Sequence, residues 1–401
     1  MGNPSQVIIP KGFKANGVKC GIKASGNLDL AMIVSDHSCA AAGTFTLNRV
    51  AAAPVQWDRA LVPAHGLRGV VVNAGNANAA TGQQGLDNAA KMAELAAKAV
   101  GCDQRQMLVA STGVIGHQLP MEKIELGITL ALGELTSDAS GFELASRAIM
   151  TTDTVPKVAG KSITMSTGEV VQLMGLCKGA AMIGPRMATM LAFIVTDANL
   201  NETVLQEQLS AIVDDSFNCI SVEGHASTND TVLLLANGQA NVNALNGSDI
   251  ALFQAALREV CVELAMMIPG DGEGATHRIT IDVEGCKTRE EAVAIARAVA
   301  DSPLVKTAIH GADPNWGRIV SAAGYAGVDF QESEMCLILN GFPLYHKGTP
   351  LNFDAAKVSA HIRENRETHI LLKFDRGASK IRFWTCDLTA EYIHLNADYT
   401  T

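Results

Sequence analysis

Strand-like and helix-like segments alternate along the chain, and this alternation constrains the fold more than any other feature of the sequence. Ile279, Ile281 and Val283 alternate with polar neighbours, which is the two-residue period of a strand. Residues 86–100 instead carry apolar side chains every three or four positions, as one face of a helix does. Segments that alternate in this way pack as layers, so we expect an α/β fold arranged as an α+β layered sandwich.

Other segments extend the same pattern. The strands that we predict are Met107–Ala110, followed by a turn at Ser111-Thr112-Gly113, then Met190–Val195, Cys336–Leu339 and Ile370–Phe374. The helices that we predict are Leu86–Val100 ending at Gly101, a helix with Leu205, Leu209 and Ile212 behind an Asn201 cap, Asp249–Met267 stopped by Pro269-Gly270, and Thr288–Ala300. The run His310–Arg318 is expected to be a polar turn.

Composition excludes several classes of protein. Of the 401 residues 48% are hydrophobic and only 4% aromatic, so the core consists mainly of small side chains and a disordered chain is excluded. No strongly apolar run approaches the roughly 20 residues that cross a bilayer, which argues against a membrane protein. The net charge of −10 argues against nucleic acid as the main partner.

The nine cysteines are scattered, odd in number and without a Cys-x-x-Cys pair. The amino-terminal residues also lack a charged start followed by an apolar core. Together these features predict reduced thiols in the cytoplasm. Cys177 has no histidine near it in sequence, so we do not expect a catalytic thiol there.

The segment Lys178–Ala198 breaks the regular pattern. Gly179, Gly184 and Pro185 interrupt the backbone just before the strand-like run, and Thr189 stands at the mouth of that run. From the residues alone, this is either a loop entering a buried strand, with Thr189 present for its β-propensity, or a reactive site.

Signatures of several other enzyme classes are missing. The sequence has no His-Glu-x-x-His, no paired-cysteine zinc spacing, no Walker loop and no Gly-x-Ser-x-Gly elbow. The turn at 270–274 is glycine-rich, but it follows a helix and carries two acidic residues that would repel phosphate. We therefore expect no metal and no resident cofactor.

The run from Lys178-Gly179 through Met182 and Pro185 to Met187-Ala188-Thr189-Met190-Leu191 closely resembles the signature of the ornithine acetyltransferase family, the glutamate N-acetyltransferases of the cyclic arginine pathway. Further blocks resemble the same family in the same order: 73–78, 111–116, 151–154, 216–218 with 227–230, 271–276 and 396–401. The resemblance spans nearly the whole chain. The sequence departs from the family pattern at Ala181, Arg186 and His277.

The resemblance implies a self-processing acyltransferase with an Ntn-like fold related to that of certain aminopeptidases. In this family the chain cuts itself before the threonine of the Met-Ala-Thr-Met-Leu run, which here lies between Ala188 and Thr189. The products would be an α fragment of residues 1–188 and a β fragment of residues 189–401, interwoven in one larger unit. The family also implies an α2β2 heterotetramer.

The resemblance further implies acetyl transfer from N-acetylornithine to glutamate through an acetylated Thr189. As an amino terminus, Thr189 would carry an α-amine with a pKa of about 8, which can accept the proton of its own hydroxyl. Thr112 and Gly113 match the family's oxyanion hole, whose donors stabilise the tetrahedral intermediate.

Substrate binding follows from the same resemblance. Lys178 is expected to bind the substrate carboxylate, and Glu273 the ammonium of the ornithine side chain. The other matched binding positions are Thr152, with Thr151 as an alternative, Thr189, Asn396 and Thr401. Whether acetyl-CoA serves as a second acetyl donor stays open.

Two other functions also stay open. A self-processing Thr or Ser aminopeptidase or amidase of related fold would use the same nucleophile with water as the acceptor. A binding protein would leave Thr189 inert. The intact mass separates the inert protein from the two enzymes, and acetyl-transfer assays with and without glutamate separate the enzymes.

Overall fold

The structure is a computed structural model that describes residues 8–184, 190–240 and 243–398. The strands in these ranges are β1 (Phe13–Val18), β2 (Leu30–Phe45), β3 (Ala64–Asn76), β4 (Met107–Val114), β5 (Lys157–Thr164), β6 (Val170–Lys178), β7 (Leu191–Thr196), β8 (Thr231–Ala236), β9 (Arg278–Cys286), β10 (Met335–Leu339), β11 (Phe342–His346), β12 (Thr349–Pro350), β13 (Glu367–Phe374) and β14 (Ser379–Cys386). The α-helices are α1 (Ala53–Arg59), α2 (Gly82–Val100), α3 (Met121–Gly133), α4 (Ala139–Ala148), α5 (Glu202–Asp214), α6 (Gly247–Gly270), α7 (Arg289–Ala300), α8 (Pro303–His310), α9 (Trp316–Gly324), α10 (Ala355–Glu364) and α11 (Ala390–Asp398).

Two sheets organise these elements, and the prediction of layered α/β structure is confirmed. The first sheet runs in the order β4-β3-β2-β8-β7-β6-β5, with β1 also paired to β2. The second sheet runs in the order β12-β11-β10-β13-β9-β14. The first sheet combines strands that precede and follow residues 185–189, because β7 and β8 lie between β2 and β6.

The first sheet curls back on itself, and the curl is what brings the site residues together. In a flat sheet β4 and β6 would lie roughly 24 Å apart, since five strand spacings of about 4.8 Å separate them. Yet Lys178 Nζ at the end of β6 is 3.3 Å from Thr112 Oγ1 in β4. The long strand β2 makes the curl: its first half pairs with β1, its second half pairs with β8, and its register with β3 shifts between Val34 and Ala40.

Apolar side chains fill the inside of the curl. Val70 and Leu108 from β3 and β4 join Leu176 and Phe193 from β6 and β7 in one buried cluster, together with Phe142 of α4. The helices α2 and α3 cover the outer face of the β1–β4 arm. The helix α5 packs on β2, and α6 packs on β5 and β6 of the other arm and also contacts β14 of the second sheet.

The predicted helices are present, and their predicted ends at Gly101 and Asn201 are confirmed. Gly101 ends α2 in the left-handed conformation with φ of 78°. The side chain of Asn201 caps α5 by accepting from the N–H of Val204, and Thr288 caps α7 in the same way. These caps satisfy N–H groups that have no partner inside the helix.

The predicted stop at Pro269-Gly270 is confirmed, since α6 ends at Gly270; a proline in the final turn removes only one intrahelical bond. Two local predictions are wrong. Ser111, Thr112 and Gly113 are not a turn, because they continue β4 in parallel pairing with β3. Residues 310–318 are not all turn, since α8 ends at His310 and α9 begins at Trp316.

No helix in the described ranges is both long enough and apolar enough to cross a membrane.

Candidate active site

Lys178 is a fully buried cation at the end of β6, with a relative exposure of 1%. Its Nζ donates to Thr112 Oγ1 at 3.3 Å. Burial lowers the pKa of Lys178, and the negative charges of Asp153, Asp230 and Glu273 offset part of that effect. Because an ammonium has three N–H donors, Lys178 keeps capacity to bind a further acceptor.

Thr112 and Gly113 lie side by side near the end of β4. Thr112 is 2% exposed, and its hydroxyl accepts from Lys178, which leaves its own hydrogen free to donate. Gly113 has a φ of 131°, and a Cβ there would lie 2.4 Å from the carbonyl carbon of Gly75. Only glycine fits that position. The structure therefore places Thr112, one of the two residues of the predicted oxyanion hole, in contact with the predicted substrate-binding lysine.

The side chain of Asn229 also holds the end of β4 in place. The amide Nδ2 of Asn229 donates to the Ser111 carbonyl at 2.8 Å and to the Ala77 carbonyl at 2.6 Å. Asn229 is 5% exposed and belongs to the block 227–230. This side chain fixes the backbone that carries Thr112.

A buried ion network underlies the site. Lys157 Nζ donates to Asp153 Oδ1 at 2.7 Å and to Asp271 Oδ2 at 2.6 Å. Burial lowers the pKa of Lys157, but the two carboxylates outweigh burial and hold it above its ordinary value. Burial raises the pKa of Asp153, but Lys178 and Lys157 outweigh that effect and bring it down to about 2. Asp271 also accepts from the N–H of Thr154, so the network ties the glycine-rich turn to the start of β5.

The segment 179–184, which leads from Lys178 towards the predicted cleavage position, is held by three parts of the chain. The N–H of Gly179 donates to Asp153 Oδ1 at 2.7 Å. The carbonyl of Ala180 accepts from the N–H of Glu273 at 2.9 Å. The carbonyl of Ile183 accepts from three consecutive N–H groups, those of residues 222, 223 and 224, at 2.8, 3.2 and 3.0 Å.

Asp230 holds the chain on the other side of residues 185–189. It is fully buried, and its Oδ1 accepts from the N–H of Met190 at 2.9 Å. Its Oδ2 has no hydrogen-bond partner among the described residues. Burial raises the pKa of Asp230 well above its ordinary value. Because Met190 is bonded to Thr189, Asp230 fixes the peptide group that directly follows the predicted nucleophile.

Glu273 and Asn396 form the second pair of predicted residues that the structure brings together. Asn396 Nδ2, on α11, donates to Glu273 Oε2 at 2.7 Å. No described residue donates a hydrogen bond to the other carboxylate oxygen of Glu273. The negative charge of Glu273 raises the pKa of Lys178, so the two predicted binding groups lie close enough to interact electrostatically.

The contacts of the remaining predicted site residues are described only in part. Thr151 and Thr152 are both half-buried in the segment before Asp153, and the N–H of Thr151 donates to Asp153 Oδ2 at 3.0 Å, so the choice between them stays open. Ala188, Thr189 and Thr401 lie outside the described residues.

Cys177 is an unreactive core residue. Its Sγ lies 3.7 Å from the carbonyl oxygen of Leu264, and burial raises its pKa to about 12. A thiol that stays protonated at neutral pH is a poor nucleophile. Among the described residues, no group of three or more His, Cys, Asp or Glu side chains is arranged to hold a metal ion.

Four residues that the structure places in the site have no role in the sequence-based interpretation: Asp153, Lys157, Asp230 and Asp271. Three of them lie inside the motif blocks at 151–154, 227–230 and 271–276. A polar residue within such a block was the only available signal, and it does not distinguish a side chain that faces a substrate from one that holds the backbone.

Comparison with known proteins gives a consistent result. The model of the ArgJ family matches residues 14–401. The arginine biosynthesis bifunctional protein ArgJ of Rhodopirellula baltica is 44% identical over 98% of this chain and 97% of its own length. The protein of the same name from Dehalococcoides mccartyi is 46% identical over the same shares of the two chains.

A solved structure is also similar. The crystal structure of the arginine biosynthesis bifunctional protein ArgJ from Bacillus halodurans matches with a TM-score of 0.50 at 38% identity. The match covers 98% of that chain but only 52% of this one.

Proposed function

Because this chain belongs to the ArgJ family, we propose that it is an acetyltransferase of arginine biosynthesis that moves the acetyl group of N-acetylornithine to glutamate. The observation that carries the proposal is the contact between Lys178 and Thr112. It joins two matched positions from opposite arms of the curled sheet at one buried point next to Met190. A buried cation is costly unless a partner, a ligand or a reaction uses it.

The reaction begins with self-cleavage between Ala188 and Thr189. The Thr189 hydroxyl attacks the Ala188 carbonyl, and water opens the resulting ester to give fragments 1–188 and 189–401. Support comes from Asp230, which holds the Met190 N–H on the carboxyl side of the cut.

Acetyl transfer then uses the new amino terminus. The α-amine of Thr189 takes the hydroxyl proton, and the hydroxyl oxygen attacks the acetyl carbonyl of N-acetylornithine. The Thr112 hydroxyl and the Gly113 N–H donate to the oxyanion. The Lys178–Thr112 hydrogen bond directs the Thr112 hydrogen away from Lys178 and towards that oxygen. Ornithine leaves, and the amine of glutamate attacks the acetyl-Thr189 ester.

The substrate is held at its two charged ends. The spare donors of Lys178 bind the carboxylate that ornithine and glutamate share. Glu273, oriented by Asn396, binds the ornithine side-chain ammonium. Thr152 and Thr401 complete the binding site.

The wider assignments are parts of the same proposal. The relatives are named bifunctional, and we assign the second activity to acetylation of glutamate by acetyl-CoA on the same Thr189. The chemistry requires no resident cofactor or metal. The enzyme is cytoplasmic, and its two fragments assemble as an α2β2 heterotetramer.

Mass spectrometry tests the proposal directly. Freshly purified protein should show two fragment masses that correspond to residues 1–188 and 189–401. Incubation with N-acetylornithine alone should add one acetyl group to the 189–401 fragment, and glutamate should then remove it as N-acetylglutamate. A single intact mass would overturn the cleavage step. Release of acetate without dependence on glutamate would identify a hydrolase instead.

A further inference from the structure

A second carboxylate, which the proposed reaction does not use, lies beside Glu273. Glu223 belongs to the turn 221–224, whose N–H groups donate to the Ile183 carbonyl. Glu273 donates its own N–H to Ala180, three residues earlier on the same segment. Short backbone tethers therefore bring both acidic residues to the segment that joins Lys178 to the predicted cleavage position.

Glu223 is a buried acid that no side chain of the described residues partners, although the backbone at Ile183 and His225 lies close enough to lower its pKa. Both of its carboxyl oxygens are buried, and neither has a hydrogen-bond partner among the described residues. Leaving such a group unsatisfied is costly, and an orphaned buried acceptor in a folded protein calls for an explanation. A ligand that supplies the missing partner is one such explanation.

Tyr392 is close enough to both Glu223 and Glu273 to be affected by their charges. Burial raises the pKa of Tyr392 to about 12, and the negative charges of Glu223 and Glu273 raise it further. Tyr392 lies one helical turn before Asn396, which holds Glu273. Both carboxylates therefore lie in the neighbourhood of the first turn of α11.

The other groups near Glu223 do not neutralise it. Burial raises the pKa of Glu223 to about 8, the charge of Glu273 adds to the rise, and the backbone at Ile183 and His225 and the charge of Lys306 oppose it. Lys306 Nζ is already bound to Thr385 Oγ1 at 3.0 Å and to the Cys386 carbonyl. The titratable groups around the turn are Glu273 on the glycine-rich turn, Lys306 on α8, Cys386 on β14, Tyr392 on α11 and Asp301 at the end of α7, which accepts from Ser221.

The proposed reaction requires one side-chain subsite to bind two substrates of opposite side-chain charge. Ornithine presents an ammonium at the end of its side chain and glutamate presents a carboxylate, yet both react at the same Thr189. Two permanently ionised acids would attract the first and repel the second. A site that serves both in turn needs a group that changes its charge.

We propose that Glu223 adapts the side-chain subsite to both substrates: its ionised carboxylate accepts from the ammonium of ornithine, and its protonated carboxyl donates to the carboxylate of glutamate. This inference rests on the proposed function. The protons balance over a cycle. Glu223 takes one proton from solvent when glutamate replaces ornithine, and it returns that proton when N-acetylornithine replaces N-acetylglutamate.

The test compares N-acetylornithine and N-acetylglutamate as acetyl donors to the processed enzyme. Both acetylate the same Thr189, so titration of the nucleophile cancels in the ratio of their kcat/KM values. For the wild type, this ratio should rise about tenfold per pH unit between about pH 6 and pH 9, because one donor needs the ionised acid and the other the protonated acid.

Glu223→Gln removes the titration but keeps a hydrogen-bond donor. Its ratio should be independent of pH, with kcat/KM for N-acetylornithine lowered about tenfold or more at the upper end of the range and kcat/KM for N-acetylglutamate kept within about twofold. Glu364→Gln, at an exposed carboxylate of α10, is the matched control and should behave as the wild type.

Calorimetry supplies a readout that needs no variant. Near the pKa of Glu223, at about pH 8, binding of glutamate to the wild type, measured in buffers of different ionisation enthalpy, should take up protons, and binding of ornithine should release them. If neither donor acetylates Thr189, the proposed function fails. If both do so with a ratio that does not change with pH in the wild type, or with a steep ratio that persists in Glu223→Gln, the assignment to Glu223 is overturned while the function stands.

Discussion

Replacing Lys157 by Met tests the buried ion network under the site. The Lys157 side chain is 1% exposed and lies 2.7 and 2.6 Å from one oxygen each of Asp153 and Asp271. Removing one partner of a buried ion pair costs about 3–5 kcal/mol, because the remaining charge stays buried without compensation. Here Asp153 keeps the charge of Lys178 and the N–H of Gly179, and Asp271 keeps the N–H of Thr154, so we expect a loss at the lower end of that range.

Lys161 offers a matched control on the same strand. It forms an ion pair with Glu259 in which the side chains are 44% and 58% exposed. Exposed pairs of this kind contribute about 0.2–1 kcal/mol. Urea unfolding should therefore separate Lys157→Met from Lys161→Met by several kcal/mol. Both are best measured in a Thr189→Ala background, where we expect the two halves to stay on one chain.

The pH dependence of the free energy of unfolding should differ between the wild type and Lys157→Met. In the wild type the pKa of Asp153 is lowered to about 2, so its contribution to stability is present above the ordinary value and is lost as the pH falls towards 2. In Lys157→Met the pKa of Asp153 should be higher than in the wild type because one of its two neighbouring cations is gone, so the difference in stability between the two proteins should shrink as the pH falls from 7 towards about 3. A loss below about 1 kcal/mol, or the same pH dependence in both proteins, would refute the reasoning.

Three further predictions concern the reaction. Thr189→Ala should abolish cleavage and transfer while Thr189→Ser keeps part of both, as shown by fragment masses and acetylation; cleavage of the Ala variant would exclude Thr189 as the nucleophile. Gly113→Ala, whose Cβ would lie 2.4 Å from the carbonyl carbon of Gly75, should lower kcat for transfer about 10²–10³-fold; unchanged kcat would remove Gly113 from the oxyanion hole. Lys178→Met should lower kcat/KM for N-acetylornithine and N-acetylglutamate alike by about 2–5 kcal/mol, since both share the carboxylate; a loss confined to one donor would contradict that role.

Local patterns predicted the elements of this fold well, and long-range geometry accounts for what they missed. The caps at Asn201 and Thr288 depend on residues three positions apart, which a sequence displays directly. The prediction of a turn at Ser111-Thr112-Gly113 is wrong because these residues pair with the stretch of β3 around Gly75. That long-range pairing decides whether the backbone turns or continues as strand β4.

The site residues likewise divide into those that local motifs predict and those that only long-range contacts bring to the site. Motif blocks led to Lys178, Thr112, Glu273 and Asn396, and the structure joins them in two contacting pairs. The Lys157 network could not be predicted, because Asp271 lies 114 residues from Lys157 and no periodicity links them. A curl in a sheet likewise leaves no local trace beyond the unusual length of β2.

The hydrogen bonds on either side of residues 185–189 explain how one set of residues could serve both the proposed cleavage and the proposed transfer. On the amino-terminal side of residues 185–189, the last described anchor is the Ile183 carbonyl, which holds three N–H groups of the turn 221–224. On the carboxyl-terminal side the first anchor is Met190, held by Asp230. A cut between 188 and 189 breaks none of these bonds, and the β7 strand that follows remains paired with β6 and β8. The new amino terminus would therefore stay one residue from a fixed point, with Thr112 and Lys178 already in contact, so that transfer can begin without a rearrangement of the sheet.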